Sequence, residues 1–249
     1  MKFLAKQTTP KTLEDKMAGE GTVTRHSRYY TIMKNRVEGK MSHPINNGVK
    51  MQAHHLISCE GMKESKLGKD IKKTGYDINQ AYNMAFIPST LQGACHLGIQ
   101  VHAGNHTADV RPNNDDDDDE HPDKYHEMVE ARVRKLEKLI KDGCVGKEKD
   151  KKNVVRKLNN ISRKIANLIQ NSPKEARLTK LYNRFQPGVN AGCSNQDSVT
   201  KVPLIVTPEK QVMYTCSIGR NHFKKQNEGQ RDENITSERY GGYALDVGA

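Results

Sequence analysis

The stretch Val49-Lys50-Met51-Gln52-Ala53-His54-His55-Leu56-Ile57 decides how this chain is read. It follows Pro44-Ile45-Asn46-Asn47-Gly48, where Asn-Gly is a strong turn signal, and Val49 to Leu56 then reads as a strand. The strand ends in two histidines. Neighbouring side chains on a strand point to opposite faces, so His54 and His55 can divide labour, one holding a metal and the other working on a water.

Working outward, Met62, Leu67 and Ile71 have helical spacing within Glu60 to Lys73, and Gly75 closes that segment. Asp77 is a plausible N-cap for a helical turn over Ile78 to Asn83. Phe86-Ile87-Pro88 is a short apolar segment stopped by proline, followed by a Pro, Gly and polar stretch up to His102. His102 and His106 are four residues apart and project the same way if they lie on a helical turn, although Gly104 between them weakens a regular helix. Asp115 to Asp119 and Glu120 form an acidic run within 109–122. Like-charge runs are usually solvated, and this one lacks the spaced ligands and turn glycine of a calcium loop, so it reads as a flexible insertion.

Two amphipathic helices follow, Tyr125 to Lys141 and Val154 to Gln170, separated by Gly143 and Gly146 in the manner of an antiparallel hairpin. A third short helix is expected over Pro173 to Phe185. After Gln186-Pro187-Gly188, Lys201 to Val206 and Gln211 to Cys216 read as two strands. Residues 1–45 are basic and polar with poor periodicity. Within them Thr12 to Asp15 suits a helix start, and Tyr29 to Met33 suits either a strand or a helix. The expected architecture is α+β: a ββα-type core in a mainly helical domain, with a small C-terminal β-containing extension. The expected division is an N-terminal extension over 1–45, a core domain over 46–186 carrying the insertion 109–122, and a C-terminal extension over 187–249.

Composition narrows the function. The net charge is +11 despite the acidic run, and His121 to Gln186 carries 18 Lys and Arg against 8 acids. Such basicity suggests a polyanionic partner, nucleic acid first and an anionic membrane surface second; a Lys-rich solvated helical surface is the blander reading. Five cysteines (Cys59, Cys95, Cys144, Cys193, Cys216) show no C-x-x-C pairing, which suits reduced thiols in a cytosolic setting and argues against a zinc ribbon. Met1 to Lys6 is charged too early for a signal peptide, and no stretch approaches a membrane span.

The histidines have ordinary explanations one at a time. A His-His pair is commonly a surface accident, and His102 and His106 suit ordinary loop residues. Their ordered combination with Asn83 points to metal-assisted phosphodiester cleavage, in which a cation stabilises the scissile phosphate and leaving oxygen and a neutral imidazole deprotonates water. Imidazoles suit Zn²⁺, Ni²⁺ or Mn²⁺, whereas Mg²⁺ prefers oxygen donors, so the identity of the divalent ion stays open. A base histidine needs its second nitrogen held by a carbonyl or amide, and Asn83 has the right side chain for orienting groups around the site. His96, His26, His43, His126 and His222 lack companions and read as structural or exposed.

Ala53-His54-His55-Leu56-Ile57, Gly75-Tyr76-Asp77-Ile78-Asn79-Gln80-Ala81-Tyr82-Asn83-Met84-Ala85-Phe86-Ile87-Pro88 and His102-Ala103-Gly104-Asn105-His106 together resemble the AHH family of nucleases, of the HNH/endonuclease VII superfamily with its ββα-metal site. The resemblance covers residues 48 to 140. It implies that His54 is a metal ligand, His55 the general base, and Asn83 an orienting residue for the base or its loop. It further implies that His102 and His106 complete the metal shell. Two departures stand out. Met84 occupies the place of a usual glycine, and the acidic insertion displaces the tyrosine expected after the second histidine. His121-Pro122-Asp123-Lys124-Tyr125 reproduces the family's His-Pro-x-Tyr ending, so His121 is an alternative to His106 as ligand.

The function expected is a metal-dependent, largely sequence-nonspecific endonuclease acting on DNA. Arg132, Lys135, Arg156, Lys157, Arg163 and Lys164 on the basic helices would contact phosphates, which add affinity without reading bases. No aromatic ladder suited to single strands is visible, which favours duplex DNA. By analogy with toxin members of the family, the chain is expected to be an antibacterial effector, cytoplasmic or delivered into a target cell without a cleaved signal, for instance by type VI secretion. Its partners would be DNA, an immunity protein and a secretion apparatus. The alternatives are a nucleic-acid-binding or interaction protein with a structural metal, and an RNA-directed nuclease.

Overall fold

The 3₁₀ turn Pro44–Asn47 delivers the chain into the central hairpin. His43 caps this turn through Nδ1, which accepts from the Ile45 N–H at 3.3 Å, and Gly48 leaves it at φ 87°, a left-handed conformation that glycine adopts without strain. Strand β1 (Met51–His55) pairs antiparallel with β2 (Met84–Pro88), with Met51 opposite Pro88, Ala53 opposite Phe86 and His55 opposite Met84. Every residue of β2 is buried, as its continuous apolar composition requires, and the proline sits at the strand's last position where a missing N–H is tolerated. These relations come from a computed structural model that describes residues 20–102, 123–178, 235 and 243–248.

Two short helices connect the strands, α2 (Cys59–Glu64) and α3 (Gly68–Lys73), where the sequence pattern suggests one stretch. The break lies at Ser65–Leu67: Lys66 is left-handed at φ 61°, and the Ser65 hydroxyl turns back to donate to the Met62 carbonyl at 2.6 Å. Ser58 starts α2 by accepting from the Gly61 N–H. Asp77 caps no helix, contrary to expectation. Its carboxylate accepts from the Asn79 N–H at 2.8 Å and forms a tight turn, leaving only the 3₁₀ turn Ala81–Asn83 ahead of β2.

Helix α4 (Leu91–Leu97) occupies the stretch read as polar loop. Its composition, with Gly93, Cys95 and His96, masks it, but its ends are well marked. Thr90 accepts from the Gly93 N–H, and Gly98 is left-handed at φ 66°. Tyr29–Val37 is the helical alternative of the two offered by the sequence and forms α1, with Met33 and Val37 buried.

The long helix expected from Tyr125 is two, α5 (Asp123–Arg134) and α6 (Glu137–Val145), because the backbone at Leu136 leaves helical geometry (φ −97°, ψ 7°). Helix α7 (Glu148–Asn171) packs against α6, as the expected hairpin requires. Its stripe of Val154, Val155, Leu158, Ile161, Ile165 and Ile169 is buried, each fully buried side chain contributing about 1.5–3 kcal/mol. After α7 the described residues to Leu178 form turns rather than the start of a helix.

One hydrophobic core joins α1, both strands, α5, α6 and α7, and it includes Met33, Val37, Ile235 and Leu245. Residues on both sides of positions 45 and 186 therefore share that core. The C-terminal segment is tied in by Gly248 N–H to the Met84 carbonyl (2.9 Å) and Leu245 N–H to Gln170 Oε1 (3.0 Å). The fold is α+β, mainly helical around a two-stranded antiparallel sheet. The acidic run, the helix start at Thr12 and the strands expected over 201–206 and 211–216 lie outside the described residues. No helix among the described residues is long and apolar enough to cross a membrane.

Candidate active site

The end of β1 places its two imidazoles on opposite sides, in two separate networks. On one side His54 Nε2 lies 2.8 Å from the Tyr125 hydroxyl of α5, and that hydroxyl donates its single proton to the Leu56 carbonyl at 2.9 Å. The phenol oxygen is thus left as acceptor, so His54 carries its proton on Nε2 and its lone pair on Nδ1. His54 Nδ1 in turn lies 3.2 Å from His102 Nε2, the rings meeting edge to face at 4.7 Å between centroids. Burial pushes the His102 imidazole down to about 4, so it is neutral at pH 7.

The separation of the pair suits a direct hydrogen bond and equally two ligands of one ion. Two nitrogens bound about 2.0–2.1 Å from one tetrahedral ion lie about 3.3 Å apart, close to the separation found. A ligating imidazole usually donates its other N–H to a fixed oxygen, as His54 does to Tyr125. Among the described residues no third His, Cys, Asp or Glu completes a cluster. His106 and His121 lie in 103–122, outside the described residues.

On the opposite side His55 is held by Asn79, a residue that carries no assigned role in the sequence reading. Asn79 is fully buried, and its amide is pinned: Nδ2 donates to the Thr24 carbonyl (2.9 Å) and to Asp77 Oδ1 (3.2 Å). Its Oδ1 accepts from the His26 backbone N–H (3.2 Å) and faces His55 Nε2 at 3.1 Å. An amide oxygen only accepts, so His55 is protonated on Nε2 and Nδ1 is its basic nitrogen. Burial is the main reason that the His55 imidazole is held down to about 4, with the hydrogen bond to Asn79 opposing and the Arg25 charge assisting. It is a neutral base at pH 7.

Asn83 does not touch His55. It fastens the loop that leaves β1: Oδ1 accepts from the Ile57 N–H and the Ser162 hydroxyl, both at 2.8 Å, while Nδ2 donates to the Ile57 and Ile78 carbonyls at 3.0 and 2.8 Å. The buried amide has no capacity left over. The Leu56 N–H also bonds the Asn83 carbonyl at 2.8 Å, so the backbone after the histidines is fixed from two directions.

The remaining histidines are dispersed. His43 is buried edge-on to Phe86, His96 is buried on α4, and His126 Nδ1 lies 2.8 Å from the Ser58 hydroxyl, joining α5 to the start of α2. Of the six basic residues expected to meet phosphate, Lys135, Arg156, Lys157, Arg163 and Lys164 are exposed. The last four lie on the solvent side of α7. Arg132 is half-buried and engaged within the protein, with the Met128 carbonyl at 3.3 Å and Glu175 at 3.9 Å.

The paired strand thus ends in two differently held histidines, with a third histidine facing the first. A model of the AHH family, a nuclease family of the HNH/ENDO VII superfamily with conserved AHH, matches residues 33–165. That span is more than half of the chain, and the chain belongs to this family. Neither the curated proteins nor the solved structures contain a match. Asn79, Tyr29 and Arg25 were not singled out as site residues by the sequence. Asn79 offered one signal, its place inside the segment that resembles the family. Arg25 and Tyr29 precede the matched span and offered none.

Proposed function

We propose that the chain is a metal-dependent, largely sequence-nonspecific endonuclease that hydrolyses phosphodiester bonds in DNA. The observation that carries this reading is the division of roles at the end of β1, where His54 faces His102 while the Nε2 of His55 is occupied by Asn79. His55 Nδ1 takes a proton from a water, the water oxygen forms a bond to phosphorus, and the opposite P–O bond breaks. A divalent ion on His54 and His102, with a further ligand from His106 or His121, would stabilise charge on the phosphate and leaving oxygen. Asn79 keeps His55 in the productive tautomer. Asn83 holds the turn that follows it.

Exposed Arg156, Lys157, Arg163 and Lys164 would hold the backbone of DNA without regard to sequence. Purified protein offered duplex DNA, single-stranded DNA and RNA of matched length in Mg²⁺, Mn²⁺, Ni²⁺ or Zn²⁺ tests the substrate. Faster cleavage of duplex DNA is expected, and preferential cleavage of RNA would reassign it.

The proposed biological role is an antibacterial toxin, delivered into a competitor and neutralised by an immunity protein. Family membership and the non-specific chemistry support it. Expression in a bacterial cytoplasm is expected to kill unless His55 is replaced; harmless expression of an enzyme that is active in vitro would contradict the role.

A further inference from the structure

Residues 20–29 precede the family match, yet they build one wall of the site. The segment is docked along 72–79 by Gly21 N–H to the Lys72 carbonyl (2.9 Å) and Ile78 N–H to the Thr22 carbonyl (2.8 Å). Two further bonds join it to Asn79, through the Thr24 carbonyl and the His26 N–H. Gly21 is tight against the Tyr76 backbone, with no room for a Cβ. At the end of the segment the half-buried Tyr29 ring lies 4.8 Å from the His55 ring, tilted by 53°, and the Arg25 guanidinium sits over the Tyr29 ring at 4.9 Å. Arg25 is exposed, and among the described residues no carboxylate forms an ion pair with it. Stacking on an aromatic face leaves a guanidinium's N–H edge available for a second partner.

We propose that Arg25, stacked on Tyr29 beside His55, is the substrate-phosphate clamp of this nuclease and grips a nonbridging oxygen at or next to the phosphodiester under attack. This rests on the proposed role of His55 as base. The arrangement suits an anion in three ways. The planar fork of arginine matches phosphate oxygens, no carboxylate among the described residues pairs with its charge, and a fixed aromatic ring places it on the base side of the site instead of leaving it on a mobile stem. Arg25 would therefore touch the substrate where charge develops.

The test compares Arg25→Gln and Arg25→Lys with Lys69→Gln, which removes one exposed charge from α3. Cleavage is measured in the otherwise native protein, and binding of a short fluorescent duplex in the His55→Ala background across a salt series. Arg25→Gln is expected to lower kcat/KM about 10–100-fold with part of the loss in kcat, to weaken binding about tenfold, and to reduce the salt slope by about one. Arg25→Lys should recover only part, since a point charge replaces the fork. Melting temperatures should match, because Arg25 is exposed.

If the native protein cuts and Arg25→Gln stays within twofold of Lys69→Gln in both assays, the clamp is wrong and the nuclease reading stands. If the native protein cuts nothing but Arg25→Gln loses binding beyond the control, the phosphate contact stands and the nuclease reading falls. Failure of the His55→Ala parent to bind duplex overturns the clamp.

Discussion

Tyr125 is the residue on which the His54 side of the site turns. Its hydroxyl is shared between His54 and the Leu56 carbonyl, so Tyr125→Phe removes the acceptor that fixes the His54 tautomer and leaves a buried carbonyl unpaired. Loss of about 1–3 kcal/mol of stability is expected, together with metal affinity about 10–100-fold weaker by competition titration with a chelator. Asn83→Ala acts differently. It strips partners from Ile57, Ile78 and Ser162 at once, and about 3 kcal/mol or more should be lost in urea unfolding.

The sequence made His54, His55, Asn83 and His102 legible because reactive residue types recur in order around a strand and a proline-stopped segment. Asn79 was not legible. Its role depends on the Thr24 carbonyl and the His26 N–H, more than 50 residues away, and no local spacing reports that meeting.

Helix α2 meets α5 at Gly61, where an added Cβ would fall 2.7 Å from Val129 Cβ and 2.9 Å from the His126 carbonyl. Gly61→Ala must therefore push α5 outward, and α5 carries Tyr125. About 1–3 kcal/mol of destabilisation is expected by urea unfolding, with a fall in cleavage. Helix α7 has the opposite division of faces, a buried stripe inside and Arg156, Lys157, Arg163 and Lys164 outside. Replacing Arg156 and Arg163 by Gln should lower the salt slope of duplex binding by about two while leaving kcat near its native value.

Helical periodicity made α7 legible because a stripe of Val, Leu and Ile is a strong local signal. It failed where a break is set by backbone geometry at Lys66 and Leu136. It also failed at α4, whose Gly, Cys and His content hides a helix that its Thr90 and Gly98 ends announce.

For the molecule as a whole, the hairpin packs against α1 and α4 and shares one core with α5 to α7 and the returning C-terminal segment, which places neutral polar groups inside. His43, under Phe86 and near Tyr243, is held down to about 4, mainly by burial and secondarily by Lys40, with Asp246 opposing. The unfolded chain protonates this histidine near pH 6.5, so unfolding takes up a proton between the two values. Its contribution to stability is fully present above about pH 6.5 and is lost as pH falls toward 4. Unfolding midpoints of the native protein should decline from pH 7.5 to pH 5.5, and His43→Gln should reduce that decline; an unchanged pH slope in the variant would count against a buried neutral His43.

The α+β class and the strand that ends in the two histidines could be read from the sequence, whereas its partner Met84–Pro88 read only as a short apolar segment. The joining of 20–45 and 243–248 into one core could not, because it is made by bonds such as Gly248 to Met84 that span most of the chain.

The central claim is that His54 and His55 serve one metal-dependent cleavage from opposite faces of one strand end. Plasmid cleavage by the native protein beside His54→Ala and His55→Ala, in EDTA and in each divalent metal, with bound metal measured in parallel, tests it most directly. The expected result is cleavage only with metal and only in the native protein, metal content retained by His55→Ala, and content reduced in His54→Ala. Undiminished cleavage by His55→Ala, or by the native protein in EDTA, would contradict the account.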